Sequence, residues 1–115
     1  RKKFSEGTMN KLPKKPRNEA MYKAILTLKD VDECMKFFDD LCTVSELRSM
    51  EQRYEVASML MDNKVYMDIM EKSNASSATI SRENRMLNYG TGCLPEINKR
   101  TKEAKKENED ESSDR

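Results

Sequence analysis

Apolar residues recur every three or four positions along the middle of the chain, the spacing of amphipathic α-helices. The pattern predicts five helices, over about residues 21–28, 31–42, 44–62, 65–73 and 77–88. Thr43 and Glu46 have the spacing of a capping box, which predicts where the third helix begins. Gly90 and Gly92 follow the fifth stripe and end the pattern.

Residues 18–89 contain no glycine and no proline, and 34 of these 72 residues are apolar. A β-rich domain of this length would need turn residues every 8–12 positions, so an all-α fold is expected. Only 7 of the other 43 residues are apolar. The sequence therefore predicts a helical domain over 18–92, between a basic disordered arm over 1–17 and a polar, disordered tail over 93–115.

The charge balance and residue types argue against several classes of protein. The chain has 22 Lys and Arg against 21 Asp and Glu, and it has no histidine. We expect no enzyme, since histidine-based acid–base catalysis is excluded and no Gly-rich phosphate loop is present. The three cysteines are expected to be small core residues in a reducing cytoplasm. No cofactor, metal site, signal peptide or membrane span is expected.

Residues 65–82 have the pattern of a helix-turn-helix, two short helices joined by a tight turn. Asn74 tolerates the left-handed backbone that such a turn requires, Ala75 is small, and Ser76 and Ser77 can cap the second helix. Short side chains at the start of that helix allow close approach to DNA bases, and two arginines farther along suit phosphates or guanine. The predicted DNA contacts are Ser76, Ser77, Ala78, Thr79, Ser81, Arg82 and Arg85. A helix cap followed by a solvated face is the alternative.

Residues 20–90 resemble the Trp repressor superfamily, and most of all the Trp-repressor-related (YerC/YecD-type) proteins of Gram-positive bacteria. The resemblance rests on Ala78-Thr79-Ile80-Ser81-Arg82 followed by Leu87-Asn88-Tyr89-Gly90, with Thr43, Glu46 and Gln52-Arg53 upstream. It implies a Trp-repressor-like helical bundle that forms an intertwined homodimer. It also implies a two-fold symmetric operator in double-stranded DNA and a cytoplasmic, nucleoid-associated location.

The resemblance also implies a ligand pocket. In the Trp repressor two arginines hold the indole of tryptophan near a threonine, and the matching positions here are Thr43, Arg53 and Arg82. This chain departs from the pattern at Glu83, where the repressor has glycine, and at Met86, where it has a small polar residue. Because a carboxylate would crowd the pocket and repel the ligand's carboxylate, we expect a vestigial pocket that does not bind tryptophan; no other effector is indicated. Arg53 and Arg82 could instead pair with Glu83 or hold phosphates, or Glu83 could form an ion pair along its own helix.

Electrostatics weaken the DNA-binding interpretation. Residues 64–90 carry a net charge of only +1, and DNA affinity draws heavily on release of counterions from phosphates. The arm over 1–17 carries +6 and could supply the missing attraction, or it could only keep the chain in solution. A helical dimeric protein-interaction module without DNA binding is therefore the alternative function.

Overall fold

The computed structural model describes residues 16–113, with side chains described through residue 110, and all regular structure in that range is α-helical. The six helices are α1 (Ala20–Ile25), α2 (Val31–Leu41), α3 (Val44–Met61), α4 (Tyr66–Ser73), α5 (Ser77–Tyr89) and α6 (Cys93–Ser113). The all-α prediction is confirmed, and so are the five predicted helices. Apart from residues 16 and 17, the predicted arm lies outside the described residues.

Helix α1 is shorter than its apolar stripe, which runs to Leu28. The chain leaves the helix at Leu26, and the backbone N–H groups of Thr27 and Leu28 bond three residues back instead of four. The Thr27 hydroxyl donates to the Ala24 carbonyl at 2.7 Å, so it competes with the helical bonding pattern. Upstream, the Arg17 guanidinium donates to the Tyr22 hydroxyl at 2.7 Å and lies over the ring.

The structure divides into two compact units, and the first ends at Glu51 within α3. In this N-terminal unit the starts of α2 and α3 are fixed by side chains. Asp30 accepts the backbone N–H of Glu33 at the start of α2. The predicted capping box of α3 is confirmed, since Thr43 Oγ1 accepts from the Glu46 N–H at 3.1 Å and Glu46 Oε1 accepts from the Thr43 N–H at 2.8 Å. These bonds from Thr43 lower the pKa of Glu46.

The apolar faces of α1 and α2 are not covered within one chain. No side chain of these helices, both of which lie wholly in the described part, is buried. Leu26 is 84% exposed and Val31 is 73% exposed. The methionines were expected to fill the core, but five of them, Met21, Met35, Met67, Met70 and Met86, are exposed in the single chain. Much of the apolar surface that the sequence pattern assigned to a core is therefore still open.

The C-terminal unit, residues 52–113 of the described part, has a small core. The buried cluster consists of Val56 on α3, Ile69 on α4, Ala75 in the turn and Ile80 on α5, with Met59 and Leu60 packed against it. Ile80 is fully buried and the helix-spaced Leu87 is half-buried, which confirms the predicted inner face of α5. This core fixes α4 and α5 against each other.

The region from residue 93 differs from the disordered tail that the sequence predicted. It forms α6, and the Lys102 ammonium binds the Asp62 carboxylate just past the end of α3. That bond lowers the pKa of Asp62. Residue 102 lies 40 positions from its partner, so the local pattern of charges and apolar residues gave no sign of the contact. The boundaries of the predicted domain, 18 and 92, stay a prediction.

Two kinds of site are absent from the part of the chain that the structure describes. None of the six helices has the length and apolar character needed to cross a membrane. No group of three or more His, Cys, Asp or Glu side chains between residues 16 and 110 is arranged to hold a metal ion.

Candidate nucleic-acid interface

The turn between α4 and α5 has the backbone that the sequence predicted. Asn74 ends α4 in the left-handed conformation, at φ 59° and ψ 18°, and its N–H donates to the Met70 carbonyl at 3.0 Å. The Ser73 hydroxyl donates to the Ile69 carbonyl at 2.5 Å and accepts the Ala75 N–H at 3.1 Å. Ala75 is buried in the core beside this turn. Three residues thus join α4 to α5, and the buried Ser73 hydroxyl bonds on both sides of the turn.

The second helix of the pair, α5, begins with a side-chain cap. Ser76 has extended backbone, and its hydroxyl oxygen accepts the Thr79 N–H at 3.1 Å. Both Ser76 and Ser77 were expected to cap, but Ser77 is the first residue of the helix itself. Ser76 satisfies one of the free N–H groups of the first turn. Ser77, at the first position of α5, is exposed.

Helical spacing sorts the remaining α5 residues into an inner and an outer face. Ile80 and Leu87 lie inside, whereas the outer positions are open to solvent. Of the seven predicted contact residues, six are exposed: Ser76, Ser77, Ala78, Ser81, Arg82 and Arg85. Thr79 is half-buried, and its N–H and hydroxyl both bond to Ser76, so it is the least available of the set. That these residues contact DNA stays a prediction.

One contact that positions α4 against α3 was not predicted from the sequence. Gln52 Nε2 donates to the Ser73 carbonyl at 3.1 Å, so α3 holds the last turn of α4. The carbonyls at a helix end lack partners within the helix and must find them elsewhere. In the sequence, Gln52 stands out only as part of the motif that carries the family resemblance. The signal available was the spacing of Gln52 and Val56, which are four residues apart and so share a face of α3.

The charged residues of α5 have no partners in the part of the chain that the structure describes. Arg82 and Arg85 are exposed and form no ion pair with any described residue. Glu83 is buried, at 8% exposure. Neither expected pairing of Glu83, with an arginine or along its own helix, is among the described ion pairs. The outer face of α5 is therefore cationic, and its one acid is turned inward.

The expected ligand pocket is not tested by these contacts. Thr43 lies in the N-terminal unit and is engaged in the capping box. Arg53 and Arg82 lie in the C-terminal unit and are exposed. A vestigial pocket formed by these residues and Glu83 stays a prediction.

Comparisons with known proteins show which proteins the chain resembles. The family model described as Trp repressor protein matches residues 17–102. The uncharacterised protein YerC of Bacillus subtilis is 46% identical over 89 residues, which cover 77% of this chain and 86% of that protein.

Two solved structures are also similar. A TrpR-like protein from Eubacterium eligens is 51% identical, with a TM-score of 0.70, over 72% of this chain and 86% of that chain. A candidate Trp repressor from Staphylococcus aureus is 44% identical, with a TM-score of 0.71, over 73% of this chain and 84% of that chain. Sequence and fold therefore give the same relationship.

Proposed function

Because the chain belongs to the Trp repressor family, we propose that it is a sequence-specific DNA-binding transcriptional regulator, with repression as its action, in the bacterial cytoplasm. The observation that carries the proposal is the exposed start of α5 after the left-handed turn at Asn74. A helix whose inner face packs on the core and whose outer face is exposed can enter a major groove about 12 Å wide.

The proposed contacts follow from the side chains on the outer face. Ser77 and Ala78 are short enough to let the backbone of the first turn approach base edges, and the Ala78 methyl can touch a thymine methyl. Arg82 and Arg85 have no partner among the described residues, so their guanidinium groups are free to bind phosphate or guanine. Ser76 and Ser81 can donate to phosphates beside the groove.

The protein acts as a homodimer in this proposal. Support comes from α1 and α2, which bury no side chain within the single chain. Exposed apolar surface on neighbouring helices is typical of protein–protein contacts. Two copies related by a two-fold axis would present two α5 helices, and successive major grooves on one side of a duplex lie about 34 Å apart. The operator would then have matching two-fold symmetry.

Affinity for DNA needs charge beyond the helix-turn-helix, because residues 64–90 carry a net charge of only +1. The basic residues at 1–17, net +6 in each copy, would supply phosphate contacts on either side of the half-sites.

Tryptophan is not the effector in this proposal. The support is Glu83, a carboxylate turned to the inner side of α5, which would repel the carboxylate of an amino-acid ligand bound there. Isothermal calorimetry with L-tryptophan should show no binding heat; binding at micromolar concentrations would contradict this part of the proposal.

The experiment that tests the function is selection from a random duplex library by the full chain. We expect enrichment of one motif with two-fold symmetry. The alternative, a helical dimeric protein-interaction module without DNA binding, is favoured by the net charge of −5 over residues 18–98. Binding to random duplex at two salt concentrations separates the two functions. A regulator is retained at low salt and released as salt rises, whereas an interaction module is retained at neither.

A further inference from the structure

Tyr89, the last residue of α5, has no role in the function proposed above. It is 60% exposed, and its hydroxyl makes no hydrogen bond with any described residue. Tyrosine combines an apolar ring with a polar tip, and it is enriched where both can be used at an interface. Tyr89 is therefore a hydrogen-bond donor without a described partner, at the far end of the helix proposed to read DNA.

Helical spacing places Tyr89 on the side of α5 that faces away from the core. The fully buried Ile80 lies nine positions earlier, which is two and a half turns at about 3.6 residues per turn, so the two side chains project in opposite directions. Arg82 and Arg85 precede Tyr89 by seven and four positions, so these three residues share a face. Tyr89 therefore continues the outer face that carries the two exposed arginines.

The length of α5 decides which part of a duplex Tyr89 would meet. Ala78 and Tyr89 are eleven positions apart, which is about 16 Å along the helix axis at about 1.5 Å per residue. The major groove is about 12 Å wide, so a helix whose first turn reaches the base edges extends to the rim of the groove at its other end. The rim presents phosphate oxygens, and the tyrosine hydroxyl is one of the uncharged donors that bind them.

The last turn of α5 holds Tyr89 in place for such a contact. The Gly90 N–H donates to the Met86 carbonyl at 2.8 Å, so the helix is complete through residue 89. Leu87 is half-buried and fixes the opposite side of this turn. A tyrosine side chain has only two torsions to order, so a phosphate contact costs little conformational entropy.

We propose that Tyr89 donates its hydroxyl to a backbone phosphate at the rim of the major groove and so holds the C-terminal end of α5 on the DNA. The inference rests on the proposed function and adds a contact to the set named there. A neutral donor adds affinity without neutralising a phosphate, so it releases no counterion. Such a contact suits a segment, residues 64–90, that carries a net charge of only +1.

The first experiment compares Tyr89→Phe with the wild-type full chain on the selected operator duplex and on random duplex. Phenylalanine keeps the ring and removes the hydroxyl, so we expect about a ten-fold loss of affinity at unchanged Tm. Because a phosphate contact carries no sequence information, both duplexes should lose affinity by the same factor. Tyr54→Phe is the matched control, since Tyr54 is 43% exposed on α3 and also has no described hydrogen bond. It should bind like the wild type.

The salt dependence of operator binding identifies the kind of contact. We expect Tyr89→Phe to keep the wild-type slope of log affinity against log salt. Arg85→Gln should reduce that slope by about 0.9 for each phosphate that the arginine neutralises. Wild-type affinity of Tyr89→Phe would overturn the inference, and so would a loss confined to the operator, which would mean that Tyr89 reads bases. A lower Tm would also overturn it, because the hydroxyl would then be bonded within the protein or to a second copy.

The closing experiment finds the partner phosphate. Each phosphate of one operator half-site is replaced in turn by an uncharged methylphosphonate, and the affinities of the wild type and Tyr89→Phe are measured. At one position the wild type should lose about as much as Tyr89→Phe loses on the unmodified duplex, while the variant loses little more. If no position shows this coupling, the inference fails and the proposed function stands. If the wild type binds no duplex at all, the proposed function fails and this contact fails with it.

Discussion

Asn74 is the residue whose substitution tests the turn between α4 and α5 most sharply. Its backbone is left-handed, at φ 59°, where a Cβ costs roughly 1–2 kcal/mol and where Asn, with its short polar side chain, is better tolerated. Among the described residues its side chain makes no hydrogen bond, so the backbone accounts for the effect. We expect Asn74→Ala to lower the free energy of unfolding by about 1 kcal/mol. Asn74→Gly should change it by only a few tenths of a kcal/mol, because relief in the turn is offset by a more flexible unfolded chain.

Urea denaturation followed by helical circular dichroism gives both values, and the Tm of a domain of this size should fall by about 4–8 °C for each kcal/mol lost. Asn88 is the matched control because it is helical, within α5. There the order reverses, with Ala more stable than Gly by about 0.5–1 kcal/mol. Equal stability of the Ala and Gly variants at position 74, or the same order at both positions, would refute the left-handed turn.

Three further predictions follow from the same contacts. Ile80→Ala leaves a cavity at the fully buried centre of the core and should lower the free energy of unfolding by about 2–5 kcal/mol in urea denaturation. Met67→Ala, at 80% exposure, should lower it by less than about 0.5 kcal/mol. Similar losses for the two variants would contradict the described core. Ser76→Ala removes the cap of α5 and should cost about 1 kcal/mol, with faster hydrogen exchange confined to the first turn of that helix. The ion pair with Lys102 lowers the pKa of Asp62, so its contribution is present above the carboxyl's unfolded-state pKa and is lost as pH falls through the lowered value. Because the pair is partly exposed, it is worth less than about 1 kcal/mol, and Lys102→Gln should show a correspondingly smaller loss of stability on acidification than the wild type.

Local signals in the sequence were enough to predict the helix starts and the turn. The Thr43–Glu46 capping box, the left-handed Asn74 and the Ser76 cap each depend on residues no more than four positions apart. Because each of these features depends only on neighbouring residues, it can be predicted from the sequence. The absence of glycine and proline over residues 18–89 then decided the fold class.

The features that were missed depend on residues far apart in the chain or on burial. Helix α6 was expected to be disordered because it has almost no apolar face, yet the structure has a continuous helix with Lys102 bound to Asp62. Gln52 reaches Ser73 across 21 residues. The outward arginines of α5 were expected from spacing. A buried Glu83 with no partner among the described residues was not expected, because a charged residue is normally paired when it is buried.

The central claim is that the outer face of α5 enters a groove of DNA, and the affinity of Ser77→Glu for the selected operator tests it most directly. Ser77 is the first residue of α5 and is exposed, and an acid at a helix N-terminus interacts favourably with the helix dipole, so the fold should keep its stability. Asn108→Glu adds the same charge at an exposed position of α6. The account predicts that Ser77→Glu loses specific binding at unchanged Tm, while Asn108→Glu binds like the wild type. Operator affinity retained in Ser77→Glu would contradict the claim.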